Sequence, residues 1–192
     1  MPARRTDPAA IELLVLDVDG VLTDGRLYYG ARGEVLKVFD VKDGHGIRRL
    51  LKAGVEVAII SGRDSPAVTR RARDLGIRHV FQGVGDKLAV LQKLLQQLRV
   101  EPSACACIGD DVPDVPMMRA AGLAFAVADA HPEALAAADK VTPHPGGRGA
   151  VRSVCDLLIA AREGAQRGAR KSPPLRIARS GRVSPGPVRG KR

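Results

Sequence analysis

The sequence predicts an α/β protein built on a doubly wound parallel sheet, and three observations carry that expectation. Short aliphatic, β-branched runs alternate along the chain with segments of helical periodicity, the pattern of βαβ crossovers. Hydrophobic residues make up 45% of the chain and aromatics only 3%, so the core must be aliphatic, as in a parallel sheet covered by helices. Acidic and hydroxyl residues follow directly on the ends of several runs, where sheets of this kind bind ligands. At 192 residues the chain accommodates one such domain and not two ordinary ones.

Residues 11–16 form an uninterrupted apolar run and are read as a central strand. Runs at 27–29 and 35–39 flank the turn sequence Gly30-Ala31-Arg32-Gly33, so they are read as a hairpin flap. Ile47, Leu50 and Leu51 recur at helical spacing until Gly54 ends the helix. A second β-branched strand over 55–60 then runs into the turn Ser61-Gly62-Arg63. Ser65-Pro66 opens the next helix as a cap and a first-turn proline, and Gly76 closes it. After a short strand at 79–81, Asp86 caps a helix over 87–98 whose leucines Leu91, Leu94, Leu95 and Leu98 share a face. A strand at 105–108 ends in Gly109-Asp110-Asp111. A helix over 115–121, a strand over 123–127, a helix after Pro132 and a last helix from 150 to about 161 complete the domain.

The formal charge of +10 is unevenly carried, because residues 161–192 hold ten Lys or Arg against the single acid Glu163, a net +9 that leaves +1 for the rest. That segment is rich in proline and glycine and poor in large apolar residues, so it cannot bury enough surface to order itself. The expected organisation is a short N-terminal extension over 1–10, a domain over 11–161 and a basic, disordered tail over 162–192. No aromatic residue interleaves with the arginines of the tail to stack on bases, so a solvating appendage is expected in preference to a nucleic-acid arm. No apolar segment approaches the ~20 residues of a membrane span, and no apolar stretch follows Arg4 and Arg5, so a cytoplasmic location without membrane contact is expected. Cys105, Cys107 and Cys155 form neither a C-x-x-C pair nor a cluster with histidine, and are read as buried thiols.

The chemistry concentrates in the acids. Asp17 and Asp19, two residues apart at the end of the first strand, project to the same side if the strand continues through them. One carboxylate can attack while the other moves a proton, and a carboxylate nucleophile can take up a phosphoryl group as an aspartyl phosphate. Such a site needs a cation, and Asp110, with Asp111 and Asp114, supplies hard oxygen ligands suited to magnesium. Alone, these three acids would be a capped turn. Ser61 offers a hydroxyl, and Lys87, at a helix start, offers a point charge for phosphate oxygens.

This ordered set, D-V-D-G-V at 17–21, Ser61, Lys87 and G-D-D-x-x-D at 109–114, resembles the haloacid dehalogenase-like phosphohydrolases over about residues 11–161. The resemblance implies their α/β fold, with Asp17 as phosphoryl acceptor, Asp19 as general acid and base, and Ser61 and Lys87 as phosphate ligands. It further implies magnesium held by Asp17, Asp110 and the backbone carbonyl of Asp19, supported by Asp114.

Blocks at 22–25, 39–46, 59–63, 127–132 and 146–152 are similar to the capless members of that family that act on 3-deoxy-D-manno-octulosonate 8-phosphate, a sugar acid of lipopolysaccharide synthesis. The gaps from Asp19 to Ser61 and from Ser61 to Lys87 leave no room for a cap domain, in keeping with that subgroup. The resemblance implies a homotetramer whose hairpins cover the active sites. It also implies a substrate site formed by Asp19, Asp40, Val41, Lys42, Asp43, Gly44, Arg48, Arg63, Arg71 and Lys87. The rival readings are a phosphatase for a nonulosonic acid 9-phosphate and a non-catalytic binding module of the same fold. His45 is read as an exposed loop residue and His131 as part of a helix start.

Overall fold

A computed structural model describes residues 6–171, with side chains through Arg167. Six parallel strands form the main sheet in the order β5-β4-β1-β6-β7-β8, which are His79–Phe81, Glu56–Ile60, Leu13–Leu16, Cys105–Gly109, Leu123–Ala126 and Lys140–Val141. A separate two-stranded hairpin pairs β2 (Tyr28–Gly30) with β3 (Gly33–Leu36) across Ala31 and Arg32.

The apolar run ahead of Asp17 forms the centre because it has no polar face to expose: Leu13, Leu14, Val15 and Leu16 are all fully buried. Leu16 pairs with Ile59 on one side and Ile108 on the other, so the chain leaves β1, β4 and β6 at one level. That common level brings Asp17, Ser61 and Asp110 to one edge, although they lie far apart in sequence.

Helices α1 (Val41–Lys52), α2 (Pro66–Leu75) and α6 (Ala150–Lys171) form one covering layer, with α1 packed on both of the others. The layer opposite is built from α3 (Lys87–Leu98), α4 (Val115–Ala120) and α5 (Pro132–Ala137). Gly76 closes α2 with a left-handed φ of 82°, a conformation costly for residues with a Cβ. The stretch from Asp19 to Ser61 holds only the hairpin, α1 and β4, and the stretch from Ser61 to Lys87 holds α2 and β5, so no cap domain interrupts the fold.

The structure departs from the sequence reading in several places. The first strand ends at Leu16, as read, so the condition for Asp17 and Asp19 to project to one side fails and both stand in the following turn. A two-residue strand, β8, completes the sheet edge; Asp139 Oδ2 accepts from the Ala124 amide at 2.8 Å just before it. The last helix runs to Lys171 and does not stop near residue 161. Its extension contains the good helix formers Ala165, Gln166 and Arg167. Arg162 also fixes it to the body by donating to the Ile11 carbonyl at 2.8 Å. The basic segment thus begins as helix, and the disorder expected of its remainder concerns residues 172–192, outside the described residues. The cysteines are buried and unpaired, as expected. Among the described residues, no helix is long and apolar enough to cross a membrane.

Candidate active site

Lys87 opens α3 under the Asp86 cap and points its ammonium between two buried carboxylates. Its Nζ lies 2.8 Å from Asp17 Oδ1 and donates to Asp114 Oδ1 at 2.6 Å. Among the described residues, Lys87 is thus the one cation that meets Asp17 Oδ1 in its buried position. Burial disfavours the charged lysine, but Asp17 and Asp114 outweigh it and raise the Lys87 pKa. The second oxygen of Asp114 accepts from the amides of Asp110 and Asp111 at 3.1 and 3.3 Å, which commits both of its oxygens and fixes the β6 turn.

Asp110 Oδ1 is also buried, but has no hydrogen-bond partner among the described residues. Its carboxylate sits where a Cβ on Gly20 would be, and Gly20 has a φ of 91°, so glycine is required there both for space and for backbone. Burial pushes Asp110 up to about 8, aided by repulsion from Asp17 and Asp114. Burial also lifts Asp17 to about 6, with Asp114 adding to it. Asp17, Asp110 and Asp114 bring one oxygen each within 4.8 Å of one another. Three carboxylates that repel one another around a single ammonium, with Asp110 Oδ1 buried and unpartnered, suit a hard divalent cation such as magnesium.

Thr23 orders the turn between the two catalytic candidates and its exit. Its Oγ1 accepts from Gly20 N at 3.4 Å and Gly25 N at 3.2 Å and donates to the Val18 carbonyl at 3.3 Å. Gly147 N donates to the Val21 carbonyl at 2.9 Å from the opposite side. Residues 146–149 therefore buttress the acidic turn. His131 caps α5 by accepting from Glu133 N at 3.3 Å, and its own amide donates to the Asp110 carbonyl at 2.7 Å, as a helix-start residue should.

Asp19 faces away from Lys87 toward the hairpin, where it pairs with Lys37 Nζ and lies 3.6 Å from Arg63 Nε. Arg63 also donates to Glu34 at 2.8 Å and Tyr29 at 3.1 Å, and Ser65 donates to the other Glu34 oxygen at 2.9 Å. Burial opposes ionisation of Glu34, but the Ser65 and Arg63 hydrogen bonds and the Lys37 charge together hold its carboxyl below the ordinary value. Ser61 is buried at the end of β4, and its Oγ accepts from Arg63 N at 3.4 Å.

Lys37 and Glu34 were not among the residues singled out from sequence, and Ser65, read there as a helix cap, stands at the N-cap of α2 but makes no side-chain cap bond, its hydroxyl going to Glu34 instead. The available signal was a pair of opposite charges flanking Val35 and Leu36 in Glu34-Val35-Leu36-Lys37, a pattern shared with ordinary exposed hairpins.

The expected substrate residues divide. Asp40 caps α1 by accepting from Lys42 N at 2.5 Å, while Val41, Lys42, His45 and Arg48 are exposed; His45, read as a loop residue, lies within α1, which starts earlier than the spacing of Ile47, Leu50 and Leu51 marked. Arg71 donates to the Asp40 carbonyl at 3.2 Å and lies over the Phe39 ring, close against Gly44. Asp43 departs from the expectation. It is 1% exposed, and its oxygens accept from the amides of Gly149 at 3.3 Å and Arg152 at 2.7 Å. A carboxylate so placed caps the start of α6 and has no free oxygen facing a ligand.

The model of the haloacid dehalogenase-like hydrolases matches residues 76–152. The 3-deoxy-D-manno-octulosonate 8-phosphate phosphatase of Escherichia coli is 53% identical over 151 residues, 79% of this chain and 80% of that protein. The crystal structure of the Yersinia pestis phosphatase of the same name superposes with a TM-score of 0.80 at 49% identity, covering 83% of this chain and 86% of that one. That of Moraxella catarrhalis, in complex with magnesium, phosphate and KDO, gives a TM-score of 0.81 at 40% identity, covering 88% and 98%. With the carboxylates, lysine and capless sheet described above, these likenesses show that the chain belongs to the haloacid dehalogenase-like hydrolases, in the group of the 3-deoxy-D-manno-octulosonate 8-phosphate phosphatases.

Proposed function

We propose that the protein is a magnesium-dependent phosphomonoester hydrolase that acts on 3-deoxy-D-manno-octulosonate 8-phosphate and releases the sugar acid for lipopolysaccharide synthesis. One observation carries the chemistry: Asp17, Asp110 and Asp114 converge at one sheet edge beside Lys87, with Asp110 Oδ1 buried and unpartnered. The names of the relatives supply the substrate.

Asp17, Asp110 and the Asp19 carbonyl would hold magnesium, while Asp114 fixes the β6 turn and Lys87 from behind. When bound, the ion offsets the negative charge shared by the carboxylates and the phosphate. Lys87 and the Ser61 hydroxyl orient the phosphate oxygens. An Asp17 oxygen attacks phosphorus, the bond from phosphorus to the sugar oxygen breaks, and Asp19, which enters this step protonated on the oxygen not held by Lys37, gives the sugar oxygen its proton. A water oxygen then attacks phosphorus and passes a proton to Asp19, and the bond to Asp17 breaks. Inorganic phosphate leaves, and both carboxyls return to their starting states. Arg63 and Arg71, with the exposed Arg48, supply cationic groups for the carboxylate of the substrate.

A homotetramer of cytoplasmic location belongs to this reading. The hairpin exposes Tyr29 by 61%, Val35 by 67% and Leu36 by 53%, an apolar surface for a second copy of the chain. The three buried free thiols suit a reducing compartment.

Phosphate release with magnesium from the octulosonate 8-phosphate, a nonulosonic acid 9-phosphate and simple sugar phosphates tests the proposal. A strong preference for the first is expected. Preference for the second would transfer the substrate, and turnover that survives Asp17→Asn or chelation would remove the mechanism. Sedimentation of the same sample reads the oligomer, and a monomer would refute the tetramer.

A further inference from the structure

Lys37 is out of keeping with its surroundings. It stands at the exit of β3, between Leu36 and Val38, which are 53% and 51% exposed, yet it is itself 9% exposed. Burying the four-carbon stem and ammonium of a lysine costs rotamer freedom and hydration, which only anionic partners offset. Both partners are present: Asp19 accepts from its Nζ, and Glu34 lies 3.5 Å away. Glu34 is bound in turn to Arg63 and Ser65, which follow β4. The strand that carries Lys37 is thus anchored to the sheet edge three residues before it reaches Asp19. Arg63 approaches the other Asp19 oxygen only at 3.6 Å, so among the described residues Lys37 is the hydrogen-bond donor to this carboxylate.

We infer that Lys37 is a positioning residue for Asp19, held in place by Glu34, and that the hairpin orients the proton donor of the reaction through it. This rests on the role given to Asp19 above. Among the described residues Asp19 has no other hydrogen-bond donor to fix its side chain, and a misplacement of about 1 Å in a proton donor is enough to cost ~100-fold in rate. Lys37 itself neither attacks nor leaves. It sets where the Asp19 carboxyl stands when the sugar oxygen departs.

The test compares leaving groups in a single turnover. A sugar alkoxide needs a proton as it leaves, whereas p-nitrophenolate does not. In Lys37→Met, release of the sugar acid should slow tenfold or more, and release of p-nitrophenolate from p-nitrophenyl phosphate should slow less than threefold, with KM for the sugar phosphate within threefold. Lys37→Arg should recover part of the loss, and Glu34→Gln should reproduce it more weakly. An equal loss for both leaving groups, or none, would overturn the inference. Asp19→Asn separates the two levels. If it lacks the leaving-group selectivity, the role of Asp19 fails. If it has the selectivity and Lys37→Met does not, the role of Lys37 alone fails.

Discussion

Asp114 holds Lys87 from behind: its Oδ1 lies 2.6 Å from the lysine Nζ, which lies 2.8 Å from Asp17 Oδ1 on the other side. The lysine is 7% exposed, so its charge is balanced by these two carboxylates and little else. The pairing fixes where Lys87 can meet a phosphate and keeps two buried acids from facing one another uncompensated.

Removing that charge should harm both rate and stability. Lys87→Met leaves Asp17 and Asp114 buried without their cation, and breaking a buried pair costs about 3–5 kcal/mol. Loss of one preorganised donor to the reacting group lowers turnover by roughly 100-fold or more. Steady-state assay and chemical denaturation of the same variant check both. Wild-type stability in Lys87→Met would mean that the ion pairs contribute nothing net.

The carboxyl cluster predicts how stability and magnesium affinity depend on pH. Asp17 and Asp110 are raised from 3.8 to about 6 and about 8, mainly by burial, so the folded protein holds their protons more tightly than the unfolded chain does. The stability this contributes is fully present below about 3.8 and is lost as pH rises through about 6 for Asp17 and about 8 for Asp110. The Tm of the chelated protein should therefore fall across that window, and the fall should shrink in Asp110→Asn. Magnesium binds the ionised carboxylates, so the rise in Tm on adding it should grow with pH over the same window. Calorimetry with and without chelator reads each slope.

Gly20→Ala tests the room made for Asp110. The φ of 91° is strained for alanine, and its Cβ would overlap the Asp110 carboxylate. The expected result is a magnesium affinity at least tenfold weaker, together with a stability loss of about 1–3 kcal/mol from the backbone. A magnesium titration followed by activity, beside a melt, separates the two. Unchanged affinity would mean that Asp110 can move aside without loss.

The sheet and the acidic edge were legible because their signals are local. Leu13 to Leu16 have no polar side, and Asp17, Asp110 and Lys87 each follow a strand or open a helix within a few residues of a recognisable boundary. The partners of Asp19 were not legible. Lys37 lies 18 residues away in a hairpin whose neighbours are exposed, and burial by tertiary contact leaves no periodic trace in four residues. The end of α6 was misplaced for a similar reason: charge density marked residue 162 as a boundary, whereas Arg162 bonds to the Ile11 carbonyl, 151 residues distant. Asp43 sits in a stretch whose resemblance suggested substrate, and its bonds to Gly149 and Arg152 cross more than 100 residues.

Asp43 carries the last prediction. Both of its oxygens serve amides at the start of α6, and it is buried enough that its pKa is raised by desolvation, despite the two amide donors that lower it. Asp43→Ala would leave those amides without acceptors in the interface between α1 and α6, at a cost of about 1–3 kcal/mol. Asp43→Asn keeps one acceptor and should lose less. A residue that contacted substrate would raise KM in both variants, whereas a helix cap lowers Tm and leaves the KM of the folded fraction unchanged. Denaturation and steady-state kinetics on the two variants should show a graded loss of stability with KM unchanged. A raised KM with unaltered stability would return Asp43 to the substrate site.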